Sequence, residues 1–463
     1  MYSNRELKID EAYDEAIRTN KKILVSFVHK VNNIAPLSFF SYGEKEYKGK
    51  RYFWKHAIEK EWIVGLGTVY TIQKEEDIDR FQEAKNEWKS ILKNSYIFNS
   101  FQRINGVGPV LLGGFSFLPM KRQNNEWENF HDIHFYLPEL MLTVTEDDSY
   151  LTENYLLDPN LQKPKLQDVS QIINKIETIN PQKNTELTVV STNEKYPNDW
   201  IRNVNKAIDM LKKKELNKIV LAREVEIEFN DELSHECIIQ RLMNDQQSSY
   251  IFAIESGEDC YLGASPERLI RKVDQTISSV CLAGSTPRGK TEDEDKLLGE
   301  DLLKDQKNLD EHQFVVDMIY DSLKKVTKEV TVPDRPVLIK MRDIQHLYTP
   351  VKGKIEKDTT IFDIIKQLHP TPALGGTPKE KALELIPQLE FFERGFYAAP
   401  LGWVDYKGDG EFIVAIRSGL IKAKKALLFA GCGIVENSNA EHEFEETVVK
   451  LRPMLRALGG IIA

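Results

Sequence analysis

The second half of the chain is organised as strands joined by short turns and interrupted by a few long helices. The densest strand-like run, 218–229, follows a helical pattern at 200–214. Strands joined by tight turns next to blocks of helix indicate an α+β fold rather than an alternating α/β fold. Residues 405–410 have the composition of a hairpin turn. Further strands are predicted at 249–270 (a pair), 276–283, 337–341, 399–406, 411–420 and 426–430, and helices at 292–325 and 440–458.

The first 157 residues have a different texture and hold few candidate catalytic groups. Strand-like runs are predicted at 23–28, 62–72, 110–117 and 134–144, and an amphipathic helix at 77–92. Glycines at 106, 108, 113 and 114 lack the GxGxxG spacing, so turn and bulge roles are favoured over a phosphate loop. Residues 158–199 are polar, carry four prolines and include one helical pattern at 167–178. We interpret them as a linker or crossover to region 200–463.

Composition excludes several functional classes. The 62 Lys and Arg against 72 Asp and Glu give a net charge of −10, which argues against nucleic-acid or acidic-membrane binding but leaves room for a local basic pocket. No stretch approaches the roughly 18–20 apolar residues of a membrane helix, and residues 1–13 lack the apolar core of a signal peptide. The four cysteines show no CxxC spacing, so we expect reduced thiols in a cytoplasmic protein.

One string, Gly284 to Thr291, matches the phosphate-binding pattern GxxxxGK[ST] and lies between a predicted strand and a predicted helix. Four acidic residues follow at 292–295, where the positive end of a helix would face the phosphates. No clean apolar run ending in Asp follows to serve a metal, since Lys340 and Arg342 interrupt the candidate. We therefore reject nucleotide binding as the leading hypothesis and keep it as an alternative.

Two residues are candidates for acid–base chemistry. Lys218 opens a very apolar strand, where desolvation would lower the pKa of its ammonium toward values useful for a general base. Glu267 follows Gly263, Ala264 and Pro266, small or rigid residues that permit close ligand approach, and a raised pKa would make it a general acid. Taken alone, each has a plainer explanation: a lysine reaching solvent and a glutamate paired locally or capping a helix.

Helical carboxylates form a possible metal site. Glu311 lies beside an apolar stripe of the helix predicted at 292–325, and Glu443, Glu446 and Lys450 share one face of the last helix. Two glutamates from different helices would suit Mg²⁺, which takes few protein carboxylates and keeps other oxygen ligands. Ordinary ion pairing on exposed faces is the alternative.

Two further segments complete the set of candidates. Arg417 lies within the predicted strand 411–420 among apolar neighbours, so it needs an anionic partner, either a substrate carboxylate or a structural acid. Residues 369–376, beginning at His369, form a rigid non-helical segment with two prolines and two terminal glycines.

Taken together, these segments resemble the chorismate-binding enzymes, a family that includes isochorismate, salicylate, anthranilate and aminodeoxychorismate synthases. The resemblance covers about 198–458 and implies two large, mainly antiparallel sheets packed face to face with helices outside, as in anthranilate synthase. Residues 1–157 look like the family's divergent part and would add strands to the same fold. The strings that carry the resemblance are KIVLARE, LGASPERL, LAGSTPRGKT, DEHQFVVD, HPTPALGG, RGFYAAPLGW, FIVAIRSGLI, AGCGIVENSN and FEETVVKL.

The resemblance also implies a site. Glu311 and Glu446 would hold Mg²⁺, with Glu443 in an outer position, and the metal would bind the ring carboxylate of chorismate. Arg417 and Lys450 would hold carboxylates. The remaining implied contacts are His369 beside the ring and backbone groups at Gly284, Ser285, Gly431 and Gly433 lining the pocket.

Lys218 sets the implied reaction. Family members that add water resemble this sequence in having Lys there, whereas members that add ammonia carry Gln and need a glutaminase subunit. The implied activity is therefore isochorismate synthesis: Lys218 deprotonates water, which attacks C2, and Glu267 protonates the departing C4 hydroxyl. A small-molecule substrate, no glutaminase, nucleic-acid or membrane partner, and a monomer or homodimer are expected. Two alternative functions stay open: salicylate synthesis and a non-catalytic relative that only binds chorismate. The pathway supplied, menaquinone or siderophore synthesis, also stays open.

Overall fold

The computed structural model describes residues 2–75, 79–121, 125–179, 187–342 and 344–459. Its helices are α1 (Tyr2–Thr19), α2 (Pro36–Tyr42), α3 (Arg80–Lys93), α4 (Val169–Glu177), α5 (Pro197–Lys212), α6 (His235–Asp245), α7 (Glu292–Leu302), α8 (Gln306–Lys324), α9 (Ile361–Leu368), α10 (Lys379–Leu389) and α11 (Ala440–Ala457). A short 3₁₀ turn covers Asn125–Trp127.

The strands of the first half are β1 (Ile23–Val31), β2 (Arg51–Lys55), β3 (Trp62–Leu66), β4 (Tyr70–Lys74), β5 (Ser95–Phe98), β6 (Val110–Phe115), β7 (Ile133–Leu137), β8 (Leu140–Val144), β9 (Ser149–Leu157) and β10 (Val189–Glu194). Those of the second half are β11 (Lys218–Phe229), β12 (Tyr250–Ser256), β13 (Asp259–Ser265), β14 (Arg268–Val273), β15 (Thr276–Pro287), β16 (Thr327–Thr331), β17 (Val337–Lys340), β18 (Ile344–Ile355), β19 (Gly376–Thr377), β20 (Pro400–Asp405), β21 (Gly410–Val414), β22 (Ser418–Lys422) and β23 (Lys425–Ile434).

The strands form two large sheets. The first, sheet A, has the order β10-β11-β23-β22-β13-β12-β2-β3-β8-β9-β1-β5, with β19 beside β11. The second, sheet B, runs β16-β18-β15-β14-β21-β20-β6-β7-β4, with β17 beside β18. Among the strands of the described ranges, β1 pairs with β5 in parallel and the other pairings are antiparallel. The predicted α+β architecture of two mainly antiparallel sheets is confirmed, and strands from residues 1–157 belong to both sheets.

The two halves of the chain repeat one arrangement. In sheet A the order β11-β23-β22-β13-β12 on one side is matched by β1-β9-β8-β3-β2 on the other, and the two sets meet where β12 pairs with β2. In sheet B, β14-β21-β20 is matched by β4-β7-β6, meeting where β20 pairs with β6. The helix α2 between β1 and β2 likewise corresponds to α6 between β11 and β12.

Four short connections carry the chain from one sheet to the other. They join β3 to β4, β7 to β8, β13 to β14, and β21 to β22. The strands predicted as single runs at 62–72, 134–144 and 411–420 are therefore each two strands in different sheets, and the prediction of continuous strands was wrong. The pair predicted at 249–270 is three strands, because the chain leaves β13 in sheet A for β14 in sheet B. Apolar residues stand on both sides of each connection, so their patterns merge into one run in the sequence.

The long helix predicted at 292–325 is also two helices. Asp305 caps α8 by accepting a hydrogen bond from the Asn308 N–H at 2.7 Å, which begins a new helix after α7 has ended. Of the region 158–199, residues 180–186 lie outside the described ranges, and the rest contains α4, close to its predicted position, and β10. The predicted start of the helix at 77 also lies outside them, and α3 begins at Arg80 with Asp79 as its cap.

Gly263, near the end of β13, has no room for a larger side chain. A Cβ atom on Gly263 would lie 2.7 Å from the Arg417 carbonyl oxygen and 2.7 Å from Ser418 Cβ. We expect Gly263→Ala to lower the free energy of unfolding by about 2–3 kcal/mol, because the neighbouring backbone must move. Equilibrium denaturation measures this.

Gly408 provides the control. An added Cβ there would meet only Lys272 Nζ, at 3.9 Å, although φ is +84°. Gly408→Ala should therefore cost only the backbone strain, about 1 kcal/mol. Equal losses for the two variants would contradict the steric explanation.

Candidate active site

Lys218 lies at the start of β11 with its side chain largely enclosed. Burial lowers the pKa of its ammonium, Glu311 and Glu267 oppose that change, and Lys450 adds to it. The side chain passes over Gly433 on the paired strand β23, where a Cβ would lie 2.7 Å from Lys218 Cε and 3.2 Å from Nζ. The path of Lys218 therefore depends on the missing side chain at Gly433.

Glu267 lies on the connection between β13 and β14. Its backbone is held on both sides: the Glu267 N–H donates to Ser265 Oγ at 3.2 Å, and its carbonyl accepts from the Val414 N–H at 3.1 Å. Burial raises the pKa of the Glu267 carboxyl to about 7, although Arg417 and Lys218 lower it. Burial therefore shifts the two candidate acid–base groups in the directions that a neutral amine and a protonated carboxyl require.

Arg417 is not in a strand, which corrects the prediction. It lies between β21 and β22 with φ at +52°, where the chain leaves sheet B for sheet A. Because Gly263 pairs with Ser418 and Arg268 pairs with Ile413, the connection that carries Arg417 runs beside the one that carries Glu267. Burial lowers the pKa of the Arg417 guanidinium, while nearby Tyr397 and Glu267 raise it.

The last helix brings a cation and an acid together. Lys450 Nζ lies 2.5 Å from Glu446 Oε1 and donates a hydrogen bond to the Gly431 carbonyl at 2.9 Å. Glu443, one turn earlier, accepts from Ser438 Oγ at 2.7 Å. The predicted shared face of α11 is thus observed, with Lys450 directed toward the end of β23.

Glu311 and Glu446 come from different helices, α8 and α11, and both act electrostatically on Lys218. Both side chains are exposed. Two accessible carboxylates facing one lysine supply the hard oxygen ligands that Mg²⁺ prefers, and leave room for substrate or water oxygens. The chemistry of these donors suits a Mg²⁺ ion, and Glu443, bonded to Ser438, is compatible with an outer role.

The predicted lining residues surround the same space. Ser285 on β15 pairs with His346 on β18, directly after an irregularity at Gly284, whose φ is +76°. Gly431 and Gly433 lie on β23, where a Cβ at Gly431 would be 3.2 Å from the Tyr397 hydroxyl. Glycines therefore leave space beside Lys218 and Tyr397.

The His369 side chain is directed toward Phe117. Its Nε2 donates to the Phe117 carbonyl at 2.9 Å, and its ring packs edge-on against the Phe117 ring. Burial lowers the pKa of His369 well below its usual value, and Arg80 and Lys379 add to that change. The expected place of His369 beside the substrate ring stays a prediction.

Another histidine, His346, faces the site. Burial, with smaller contributions from Arg417 and Lys450, lowers its pKa to about 4, so its imidazole is neutral. Sequence reasoning missed it and also missed Tyr397, whose pKa burial raises to about 12. His346 lies in an alternating strand pattern that carries no catalytic signal, whereas Tyr397 stands inside the string RGFYAAPLGW, where a closer reading could have found it.

The string from Gly284 to Thr291 is not a phosphate loop. Residues up to Pro287 are extended in β15. The Gly289 N–H donates to Asp295 Oδ1 at 3.0 Å and the Lys290 N–H to Glu294 Oε2 at 2.7 Å. These two backbone donors, which would hold phosphate in a phosphate loop, are thus already bonded to carboxylates. The observation supports the rejection of nucleotide binding.

A buried ion pair supports the backbone of β11. Arg394 NH2 lies 2.5 Å from Glu390 Oε1 and donates to the Val220 carbonyl at 2.8 Å. Glu390 in turn accepts from the Ala222 N–H at 2.7 Å. The pair forms part of the floor of a separate cleft of about 1040 Å³ between 117–121 and 383–395.

Among the helices of the described ranges, none combines the length and apolar character that a membrane-spanning helix needs.

Comparison with known proteins gives concordant matches. The family described as "Chorismate binding enzyme" matches residues 11–459. Isochorismate synthase MenF of Bacillus subtilis is 41% identical over 453 residues, which are 97% of this chain and 96% of that protein. The structure of the menaquinone-specific isochorismate synthase MenF from Escherichia coli superposes with a TM-score of 0.76 at 23% identity, covering 96% of this chain and 99% of the other.

Anthranilate synthase component I from Streptococcus pneumoniae superposes with a TM-score of 0.69 at 22% identity, over 85% of this chain and 92% of the other. The predicted anthranilate-synthase-like fold is therefore confirmed.

The raised pKa of Glu267 has a consequence for stability. A carboxyl with a pKa of about 7 in the folded state and 4.5 unfolded binds its proton more tightly when folded. The resulting stabilisation is full below pH 4.5 and is lost as the pH rises through 7. Glu267→Gln should match the wild type near pH 4.5 and exceed it by about 3 kcal/mol above pH 8.

Denaturant titrations at pH 4.5 and 8.5 measure the difference. Glu232→Gln, at an exposed position, is the control for removing one carboxylate from the protein. A wild type more stable than Glu267→Gln at pH 8.5 would contradict the assigned shift.

Proposed function

The chain belongs to the chorismate-binding enzyme family, and from this premise we propose that it is an isochorismate synthase, an isomerase that converts chorismate reversibly to isochorismate. The observation that carries the proposal is the pairing of an enclosed Lys218 with a buried Glu267 whose pKa is raised to about 7. The near full-length similarity to the isochorismate synthase of Bacillus subtilis supports it. Supply of menaquinone synthesis is the pathway we propose, because the Escherichia coli MenF is described as menaquinone-specific and the Bacillus subtilis relative shares the name MenF.

Substrate binding follows from the charges of the site. Chorismate carries two carboxylates, and the cationic side chains Arg417 and Lys450 face the same centre as Lys218 and Glu267. Held there, the ring lies between the amine and the carboxyl. In an enclosed site these charges act with less screening than in water, so a dianion is bound in an otherwise acidic protein.

The chemical step needs one base and one acid. Neutral Lys218 takes a proton from water while the water oxygen bonds to C2 of the ring. The two ring double bonds each shift one bond toward C4, and the C4–O bond breaks. The departing hydroxyl takes the proton of Glu267 and leaves as water. One water enters and one leaves, so there is no net redox change, and Lys218 and Glu267 return to their starting protonation through solvent.

Glu311 and Glu446 are the residues that would hold Mg²⁺, with Glu443 nearby. The bound ion would supply positive charge for the ring carboxylate. A lysine at 218 rather than a glutamine favours water over ammonia as the nucleophile, so no glutaminase partner is proposed. We propose a cytoplasmic location for the enzyme.

The competing outcome within the family is salicylate synthesis, in which pyruvate is eliminated from isochorismate. Incubation with chorismate and Mg²⁺ followed by chromatography distinguishes the two. We expect isochorismate in equilibrium with chorismate and no pyruvate. Stoichiometric salicylate and pyruvate without a second enzyme would replace our assignment, and binding without turnover would indicate a non-catalytic relative.

Variants of the acid–base pair test the mechanism. Lys218→Ala and Glu267→Gln should each lower kcat by about 10²–10⁴-fold, because proton transfer is lost. The Kd of chorismate, measured by intrinsic fluorescence, should change less than fivefold. Glu411→Gln, at a fully buried acid bonded to Tyr250, controls for loss of folding. Near-normal turnover in either active-site variant would refute the role assigned to that residue.

Gly433 tests the placement of the base. Gly433→Ala would put a methyl group where Lys218 Cε runs, so the amine must move. We expect kcat to fall at least tenfold with KM changed by less than threefold. Gly408→Ala is the control, because its Cβ would meet only Lys272 Nζ, at 3.9 Å. Loss of substrate affinity without loss of kcat in Gly433→Ala would contradict the positioning role.

A further inference from the structure

Two residues with different proposed ligands are bonded to each other. Glu446 is a proposed metal ligand and Lys450 a proposed partner of a substrate carboxylate, yet Lys450 Nζ lies 2.5 Å from Glu446 Oε1. They are one turn apart on α11, so the helix itself keeps them in reach. Neither can serve its proposed ligand fully while this ion pair persists.

The ammonium of Lys450 is directed toward the candidate active site, where Lys218 and Glu267 lie. It donates to the Gly431 carbonyl at 2.9 Å, and its charge lowers the pKa values of Lys218, Glu267 and His346. Its side chain is 23% exposed, whereas that of Glu446 is 52% exposed. Lys450 is therefore anchored at the end of β23, and Glu446 remains open to an incoming cation.

A divalent cation and the ammonium compete for the same carboxylate. A cation bound to Glu446 removes the negative partner of Lys450 and adds repulsion at short range. Lys450 then keeps the Gly431 carbonyl, which occupies one of its three N–H donors. The donor released from Glu446 can then bond an anionic ligand at the site.

We propose that Lys450 is an exchange latch: it neutralises Glu446 in the metal-free protein and transfers to a substrate carboxylate when a divalent cation takes Glu446. Metal and substrate then favour each other's binding through one residue. The coupling is reciprocal, because each ligand changes the affinity for the other by the same factor. This inference rests on the proposed function for the identity of the substrate but not for the competition at Glu446.

Lys218 offers a matched control. It is a second lysine whose charge interacts with Glu446 and Glu311, but Glu446 forms its ion pair with Lys450. Removing either positive charge reduces general repulsion of a cation. Only removal of Lys450 also releases the carboxylate, so the two variants separate the latch from background electrostatics.

The first experiment uses the metal-stripped full-length protein and Mn²⁺ as a spectroscopic probe, with no chorismate present. Electron paramagnetic resonance titration should show that Lys450→Met binds Mn²⁺ at least threefold more tightly than the wild type, with a smaller gain for Lys218→Met. Glu446→Gln should lose most of the binding. Unchanged or weaker binding in Lys450→Met, equal gains in both lysine variants, or no Mn²⁺ binding by the wild type would overturn the latch.

The second experiment measures coupling to substrate. In a Lys218→Ala background, which prevents turnover, the Kd of chorismate is compared with and without Mn²⁺. The Mn²⁺-dependent gain in affinity should be at least threefold larger with Lys450 than with Met at that position, and equal gains would overturn the transfer to substrate. If chorismate does not bind at all, the proposed function fails, whereas a Mn²⁺ gain in Lys450→Met would still support competition at Glu446.

Discussion

The active site depends on two connections that run side by side between the sheets. Ser265 Oγ donates to the Val414 carbonyl at 2.6 Å, and the Val414 N–H donates to the Glu267 carbonyl at 3.1 Å, so the two connections are bonded to each other. One carries Glu267 and the other Arg417. Because each is only a few residues long and anchored in strands of both sheets, the acid and the guanidinium have little freedom to separate.

Burial then shifts the pKa values of the titratable groups in the site. The enclosed site lowers the pKa of Lys218, raises that of Glu267 to about 7 and keeps His346 neutral, because each charged form is disfavoured. Arg417 and Lys450 supply positive potential toward the same centre. The net charge of −10 therefore describes the surface and gives no guide to the ligand.

The repeated arrangement of the two halves shows that the scaffold does not by itself make a site. The connection between β7 and β8 corresponds to the one that carries Arg417, and it carries Glu139 instead. There Glu139 is bonded to Gln167, from the segment between the halves, and to Tyr47. A Cβ on nearby Gly67 would also press against the Tyr47 ring. Side chains therefore fill the space beside the connection between β7 and β8. Glycines on β23 leave space beside the connection that carries Arg417.

The sequence by itself determined the features that depend on neighbouring residues. The hairpin at 405–410, the shared face of Glu446 and Lys450, and the ordered strings that indicate the family all rest on local spacing. A strand that turns into the other sheet leaves no local sign when both flanks are buried, so the sequence placed Arg417 inside a strand. Likewise it did not indicate His346, which lies in an ordinary alternating strand. Only the pairing of β13 with β22 and of β15 with β18, contacts between residues far apart in the chain, decided which of these side chains meet.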